Sequence, residues 1–286
     1  QVDRLVVWNE IMKAQAIALH GYAEDAIRVA GAPQFDPHFR ARTPRAEFFR
    51  RIGADPDRKL IALTTTPRLL YSHHDHVLRV LVKAMESGQL TNAQVLVRLH
   101  PRDEVEAYRE FMNTPHVIIE KPFRDTVKVA DGLAIDVMPE NQKHLGDTLC
   151  HADAVVNVAS TITIEACIFD TPVVNINFDG PDESAYVKSA RRYYSFTHYV
   201  NITKRGAVRV ATSPEQLVDD VADYLADPSL DAAGRKQVVL DQCQFTDGRS
   251  AERVVRLVLD ELGAAAARAA ALRQAQGGPE QRRRTA

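Results

Sequence analysis

Two short stretches carry residue types suited to an anionic ligand. The first is Ala154-Val-Val-Asn157-Val-Ala-Ser160-Thr161-Ile-Thr163-Ile-Glu165. It reads as an apolar strand, a tight Ala-Ser-Thr turn and a helix start. A strand running straight into a Ser/Thr-initiated helix gathers backbone N–H groups and the positive end of a helix dipole at one spot, which attracts phosphate. Glu165 lies beyond the fourth position of a Ser-x-x-Glu capping box, which Thr163 occupies. Its carboxylate is therefore not committed to capping and is suited to the two hydroxyls of a ribose. The same residues also fit an ordinary βαβ unit with a Ser N-cap and a solvated Glu. The second stretch, His100-Pro101-Arg102, closes a strand. Arg102 offers a forked donor for phosphate oxygens, and His100 can donate to the same group; a turn proline with two solvated neighbours is the alternative.

Two further clusters have mixed polar chemistry. Thr64-Thr65-Thr66 ends another strand, and Asp179, Tyr186, Arg191 and Arg192 stand in a connection that is long for a βα unit,. Ser72-His73-His74-Asp75-His76 raises a metal reading. Ser72 and Asp75 form an N-cap pair, however, and nothing else supplies a ligand set, so no metal is expected. The chain has no Walker loop, no G-x-G-x-x-G and no nucleophile elbow, which argues against P-loop kinases, dinucleotide enzymes and serine hydrolases.

The elements that must hold these residues alternate regularly from Lys59 onward. Strands are expected at 60–64, 94–99, 116–119, 154–158, 173–176 and 208–210. Helices are expected at 72–87, 103–112, 141–151 and 213–226, with the short one after Ser160. Strands separated by helices of about 10–15 residues predict an α/β fold with a doubly wound parallel sheet, and such sheets bind ligands beyond the carboxyl ends of their strands. Thr64–Thr66, His100–Arg102, Ser160–Thr161 and Asp179–Arg192 all fall at that edge, which is partly guaranteed because βα turns are polar. Upstream, 2–8 reads as a strand, 9–23 as a helix with Gly21 as C-cap, and 27–36 as a strand and turn. Pro37, Pro44 and Pro56 with Arg40, Arg42, Arg45, Arg50 and Arg51 make 37–58 read as a linker with one short helix around 44–52,. Residues 231–242 and 249–274 read as helices, the second capped by Asp247. The Gly- and Arg-rich end, 276–286, reads as disordered.

The chain has 286 residues and a formal net charge of −2, so no bulk electrostatic affinity for nucleic acid is expected,. The scattered cysteines Cys150, Cys167 and Cys243 suggest reduced core thiols in a cytoplasmic protein. No apolar run approaches the roughly 20 residues of a membrane span. The first residue is Gln, inside an expected element, and a fragment of a longer chain is the expectation.

Ser160-Thr161…Glu165-Ala166…Pro172-Val173-Val174 resembles the donor half of two-domain, Rossmann-like glycosyltransferases of the GT-B fold. Trp8-Asn9…Gly31-Ala-Pro33-Gln-Phe-Asp36 looks like the last βα unit of the acceptor half. His100-Pro101-Arg102 and Asp247-Gly248-Arg-Ser250-Ala-Glu-Arg253 are similar to bacterial surface-polysaccharide transferases, including the CDP-glycerol glycerophosphotransferase group. The resemblance implies a domain plan: 1–36 as the end of an acceptor domain that is otherwise absent, 37–58 as linker, 59–246 as the Rossmann-like donor domain, and 247–275 as a closing helix. It implies that His100, Arg102, Ser160 and Thr161 meet the donor diphosphate, with Thr163 in the same set and Glu165 on the ribose. Thr65, Thr66, Asp179, Tyr186, Arg191 and Arg192 become candidates for donor-sugar or acceptor contacts. No residue of this chain is assigned as the catalytic base, which the resemblance puts in the acceptor domain.

The implied function is transfer of a sugar from a nucleotide-diphosphate donor to a polysaccharide or lipid-linked acceptor, with no cofactor. The expected place is the cytoplasm, in peripheral association with the inner face of the membrane. Many retaining members carry a second Glu where this chain has Asn157, which favours an inverting displacement, and their usual Gly before x-Pro is Asp170. Glycerophosphate transfer from CDP-glycerol, a UDP-N-acetylglucosamine 2-epimerase-like reaction and nucleotide binding without turnover stay open.

Overall fold

The computed structural model describes residues 2–121, 128–129, 132–133, 139–181, 186 and 189–276. The described chain forms strands β1 (Leu5–Val7) and β2 (Ile27–Val29) around helix α1 (Glu10–His20), then α2 (Arg45–Ile52), β3 (Lys59–Thr64), α3 (His74–Glu86), β4 (Ala93–Arg98) and β5 (Val117–Glu120). A short antiparallel pair follows, β6 (Lys128–Val129) with β7 (Gly132–Leu133). Then come α4 (Pro139–His151), β8 (Ala154–Asn157), α5 (Ile162–Ile168), β9 (Val173–Ile176), α6 (Thr197–Thr203), β10 (Arg209–Ala211), α7 (Pro214–Ala226), α8 (Ala232–Cys243) and α9 (Ser250–Gln276). Two compact units result, one from the segments up to Asp36 and from Cys243 on, the other from Pro37–Gln242.

The larger unit is organised by a six-stranded parallel sheet in the order β10-β9-β8-β3-β4-β5. Its central strands are buried and mostly apolar, as strands covered on both faces must be, with polar residues toward their ends,. Alternate residues serve opposite faces. Ile61, Leu63, Val95, Val97, Val156 and Val174 pack with Val77, Leu78 and Leu81 of α3 and Leu217 and Val221 of α7, all in one buried cluster. Leu60 and Leu96 point the other way and meet Phe48 and Phe49 of α2. This is the doubly wound Rossmann-like architecture.

Residues 37–58 are therefore a covering layer of the sheet and not a linker. Their arginines disguise it. Arg45 lies 4.0 Å over the Phe49 ring and Arg51 5.5 Å over Phe48, so each covers apolar surface with its stem and plane while its charge stays near solvent,.

The smaller unit holds the parallel β1–β2 pair, separate from the main sheet. Asn9 caps α1 by accepting from Met12 N–H at 2.9 Å, and Gly21 closes it at φ +66,. Asp247, expected as the cap of the last helix, instead accepts from Arg249 N–H and pairs with Arg253. The first N–H groups of α9 go to Asp36: Ser250 N–H donates to its Oδ1 at 2.9 Å and Ala251 N–H to its Oδ2 at 2.8 Å.

Other departures have local causes. Val105–Phe111 is a 3₁₀ segment and not an α-helix. It follows the buried Asp103, whose carboxylate accepts from Glu104 N–H and the Tyr108 hydroxyl. Helix α3 begins at His74, and its N-cap is His73, which makes no side-chain cap bond, in place of the expected Ser72. Asp170 has φ +57, the left-handed conformation that explains a glycine preference there,. Its carboxylate accepts from the buried Arg235 Nε at 2.8 Å, an interaction glycine lacks. The tail expected over 276–286 lies, beyond Gln276, outside the described residues, as do 182–185 and 187–188 of the long connection.

Candidate functional site

Strand order alone marks one place on the larger unit. The chain winds from β3 outward to β4 and β5, returns, and winds outward again from β8 to β9 and β10, so β3 and β8 are the neighbours where the winding reverses. Crossovers leave these two strands in opposite directions and open a crevice beyond their carboxyl ends.

The strands reach that edge in a shared polar row. In register, Asn175 of β9 stands beside Asn157 of β8, Asn157 beside Thr64 of β3, Thr64 beside Arg98 of β4, and Arg98 beside Glu120 of β5. In-register residues of a parallel sheet share a face, and these five lie on the α2 side, one same-face step beyond Leu96 and two beyond Leu60,. Arg98 Nη1 donates to Glu120 Oε1 at 3.0 Å, and His144 Nε2 of α4 donates to the same carboxylate at 2.9 Å. Arg51 of α2 donates to His144 Nδ1 at 2.9 Å. Burial lowers the Arg98 pKa against the opposing attraction of Glu120 and Glu165. Burial also pushes Glu120 upward, but the hydrogen bonds and charge of His144 and Arg98 outweigh it, and the net shift is down.

At the other end of the row the polar groups are saturated. Asn175 Nδ2 donates to Asn157 Oδ1 at 2.6 Å, and the Tyr199 hydroxyl donates to Asn175 Oδ1 at 2.7 Å. The Thr163 hydroxyl lies 2.9 Å from the Tyr199 oxygen. Thr163 is fully buried and is thus part of an internal network that fastens α5 to β8 and β9; it is removed from the ligand-facing set. Asn157, at the position of the second glutamate of retaining relatives, is locked in the same network.

The Ser160 turn also differs from expectation. Ile162 N–H donates to Ser160 Oγ at 3.3 Å, Thr163 N–H to Ser160 O, and Ile164 and Glu165 N–H to Thr161 O. The turn satisfies these amides itself, so what it offers outward is the half-buried Ser160 and the exposed Thr161 side chains. Glu165 is not solvated. It is 7% exposed, and His38 Nε2 donates to its Oε2 at 2.7 Å.

The loop after β4 lies beside the one after β3. His100 N–H donates to Thr65 Oγ1 at 2.8 Å, and Arg102 N–H donates to His100 Nδ1 at 3.1 Å. Nδ1 therefore accepts, and the ring proton sits on Nε2, free to serve as a donor. Burial, then the Arg102 charge, pushes the His100 pKa down, so the ring is neutral at pH 7. Arg102 itself is exposed. Thr65 is buried and holds His100, which takes it out of the candidate contacts. Thr66 is half-buried, and its N–H donates to His74 Nε2 at 2.9 Å, fixing the β3–α3 turn.

In the long connection, the half-buried Asp179 accepts from Ala190 N–H at 3.0 Å, a turn-closing role. Arg191 and Tyr186 are exposed, and the half-buried Arg192 donates to the Tyr193 hydroxyl at 2.7 Å. Among the described residues no cluster of three or more His, Cys, Asp or Glu side chains is arranged to hold a metal. No described helix is long and apolar enough to cross a membrane.

Two groups escaped the sequence reading. His38 lay hidden in the presumed linker, although the adjacent Phe48-Phe49 signalled a segment that must bury itself. Arg98 sits in an otherwise apolar strand, Val95-Leu-Val-Arg98-Leu99, and a charge there requires a buried partner,. That requirement pointed to a carboxylate on a neighbouring strand, which Glu120 supplies.

Comparison with known proteins agrees with this architecture. A lipid-A-disaccharide synthase of Syntrophotalea carbinolica is 23% identical over 241 residues, covering 81% of this chain and 55% of its own length. The structure of an S. aureus MnaA–UDP complex superposes with a TM-score of 0.60 at 14% identity, over 92% of this chain and 61% of that one. The wall teichoic acid polymerase TagF superposes with a TM-score of 0.56 at 12% identity, over 92% of this chain and 57% of that one. The chain thus spans 55% of the curated relative's length, and the structural likenesses concern the fold. Residues 1–260 match one family, and the chain belongs to it: the CDP-glycerol:poly(glycerophosphate) glycerophosphotransferase family.

Proposed function

We propose that this chain forms the donor-binding half of a transferase that takes its transferred group from a nucleotide diphosphate and delivers it to a cell-surface polymer or lipid-linked acceptor. The observation that carries the reading is that the loop bearing His100 and Arg102 follows β4 and the turn bearing Ser160 and Thr161 follows β8, on either side of β3 and next to the reversal point of the sheet. The strands bearing them, β4 and β8, flank β3, which puts their ends about 10 Å apart, the reach of a diphosphate with its sugar. Glu165, one helical turn beyond Ser160, is suited to the ribose.

In sugar transfer an acceptor hydroxyl oxygen bonds to the anomeric carbon as the bond from that carbon to the diphosphate oxygen breaks. Negative charge grows on the departing nucleoside diphosphate, and Arg102 and His100 would stabilise it by preorganised donation. Asn157 supplies no nucleophilic carboxylate on the donor side, which favours a single inverting displacement. Family membership favours a second reading, glycerophosphate transfer from CDP-glycerol. There the hydroxyl attacks the glycerol-bearing phosphorus and CMP departs. Neither displacement requires a resident cofactor, because the leaving group is already part of the donor. The acceptor would be met at the inner face of the membrane by peripheral association.

The test is acceptor-dependent nucleotide release by the full-length protein. UDP or GDP released from nucleotide sugars supports the first reading, and CMP released from CDP-glycerol the second. Binding of donors with no release from either class contradicts both.

A further inference from the structure

The larger unit places a histidine behind Glu165, and the contact joins segments 127 residues apart in sequence. His38 has a fully buried side chain, and its Nε2 donates to Glu165 Oε2 at 2.7 Å. Its ring meets Phe169 edge-on, with centroids 5.5 Å apart and an interplanar angle of 75°. Its other nitrogen, Nδ1, is buried without a hydrogen-bond partner among the described residues. Nδ1 faces Gly146 of α4, where any side chain would press on the ring and on Arg42. The imidazole therefore has one directional bond, and that bond is to Glu165.

The segment carrying His38 is held firmly. Arg42 Nη2 donates to Pro37 O and closes the turn around the histidine. Thr43 donates to the buried Asp147 twice, from N–H to Oδ1 at 3.1 Å and from Oγ1 to Oδ2 at 2.7 Å. Glu165, in contrast, is on a helix of only seven residues and has three side-chain torsions of its own. A carboxylate bound at one oxygen by a fixed donor is left with its second oxygen for a ligand.

We infer that His38 is a positioning residue for recognition of the nucleotide ribose: it orients Glu165 so that Oε1 meets the ribose hydroxyls. The inference rests on the donor-site reading above and adds a residue from outside the βα edge that selects ribonucleotides over 2′-deoxyribonucleotides. His38 does not touch the ligand; it acts through Glu165.

The test is calorimetric titration of CDP, UDP and their 2′-deoxy forms into four folded proteins: wild type, Glu165→Gln, His38→Met and His38→Gln. The readout is the ratio of ribo to 2′-deoxy affinity, which general destabilisation does not move selectively. Wild type is expected to prefer the ribo form by tenfold or more, and Glu165→Gln to lose most of that preference. His38→Met, of similar size but without a donor, should lower the ratio at least threefold while leaving 2′-deoxy affinity within twofold. His38→Gln keeps an N–H donor at similar reach and should restore the ratio. His38→Asn, whose donor is too short to reach, should behave like His38→Met and replaces it if that variant does not fold. A ratio lost in Glu165→Gln but intact in His38→Met and His38→Asn overturns this inference alone, as does a loss that His38→Gln fails to restore. A wild type with no ribose preference, or with no nucleotide binding, overturns the donor-site reading and this inference with it.

Discussion

Asp36 caps the helix that starts at Ser250, across a sequence separation of 214 residues. Both carboxylate oxygens are engaged, one on Ser250 N–H and the other on Ala251 N–H. A negative group there also opposes the helix dipole favourably. The smaller unit is thereby closed by a bond between its first and last segments.

Removing that cap should be measurable. Asp36→Ala is expected to cost about 1–2 kcal/mol in chemical denaturation of the unit, the upper part of the range for helix caps. Gly31→Ala should cost more than about 1 kcal/mol, because φ is +85 and a Cβ would press on Ser250 Oγ,. If Asp36→Ala leaves the denaturation midpoint unchanged, the cap contributes nothing.

The saturated network around Thr163 yields the opposite pairing of effects. Thr163→Val leaves Tyr199, Asn157 and Asn175 short of a partner in a dry interior. Stability should fall by about 1–3 kcal/mol, and nucleotide affinity should stay within twofold. A selective loss of nucleotide affinity at unchanged stability would return Thr163 to the ligand-facing set.

His74 gives the protein a stability slope with pH. Burial, helped by the nearby charge of Arg68, pushes its pKa down to about 3. The folded state keeps the ring neutral while the unfolded chain binds a proton below about pH 6.5. Stability from this residue is thus complete above that value and is lost as pH falls from about 6.5 toward 3. The fall in wild-type stability between pH 6.5 and 4.5 should be visibly shallower in His74→Gln. Parallel pH profiles for the two proteins would contradict the assignment.

Much of this was legible in the sequence and some was not, for physical reasons. Apolar runs such as Leu60–Leu63 and Val95–Val97 are local signals, and their alternation with helices leads directly to a parallel sheet with its polar loops on one edge. The row Asn175-Asn157-Thr64-Arg98-Glu120 exists only once strand order and register are known. Contacts such as Asp36 to Ser250 and His38 to Glu165 leave no local pattern, since each partner looks like an ordinary polar residue in its own segment. Composition misled in one place: the short helix expected around 44–52 is there, but the arginines of 37–58 concealed that its Phe48 and Phe49 pack on the sheet.

Glu165 shows how burial changes an expectation. A solvated carboxylate replaced by Gln would leave stability untouched. Paired with a buried His38, Glu165→Gln exchanges a charge-assisted bond for a neutral one and should cost about 1 kcal/mol of stability. A melting temperature indistinguishable from wild type would mean the pair contributes little to folding.

The most direct test of the central claim is isothermal titration of CDP and UDP into the wild type, Arg102→Ala and the Ser160→Ala/Thr161→Ala double variant, with melting temperatures recorded alongside. Arg102 is exposed, so its truncation should leave the fold intact. Loss of a charge-assisted contact to a diphosphate is worth about 1.5–3 kcal/mol, or roughly tenfold to a hundredfold in affinity. The account predicts a fall of that size in Arg102→Ala, and a smaller one in the double variant, at unchanged melting temperature. Equal affinities in wild type and Arg102→Ala would contradict a donor site at this edge of the sheet.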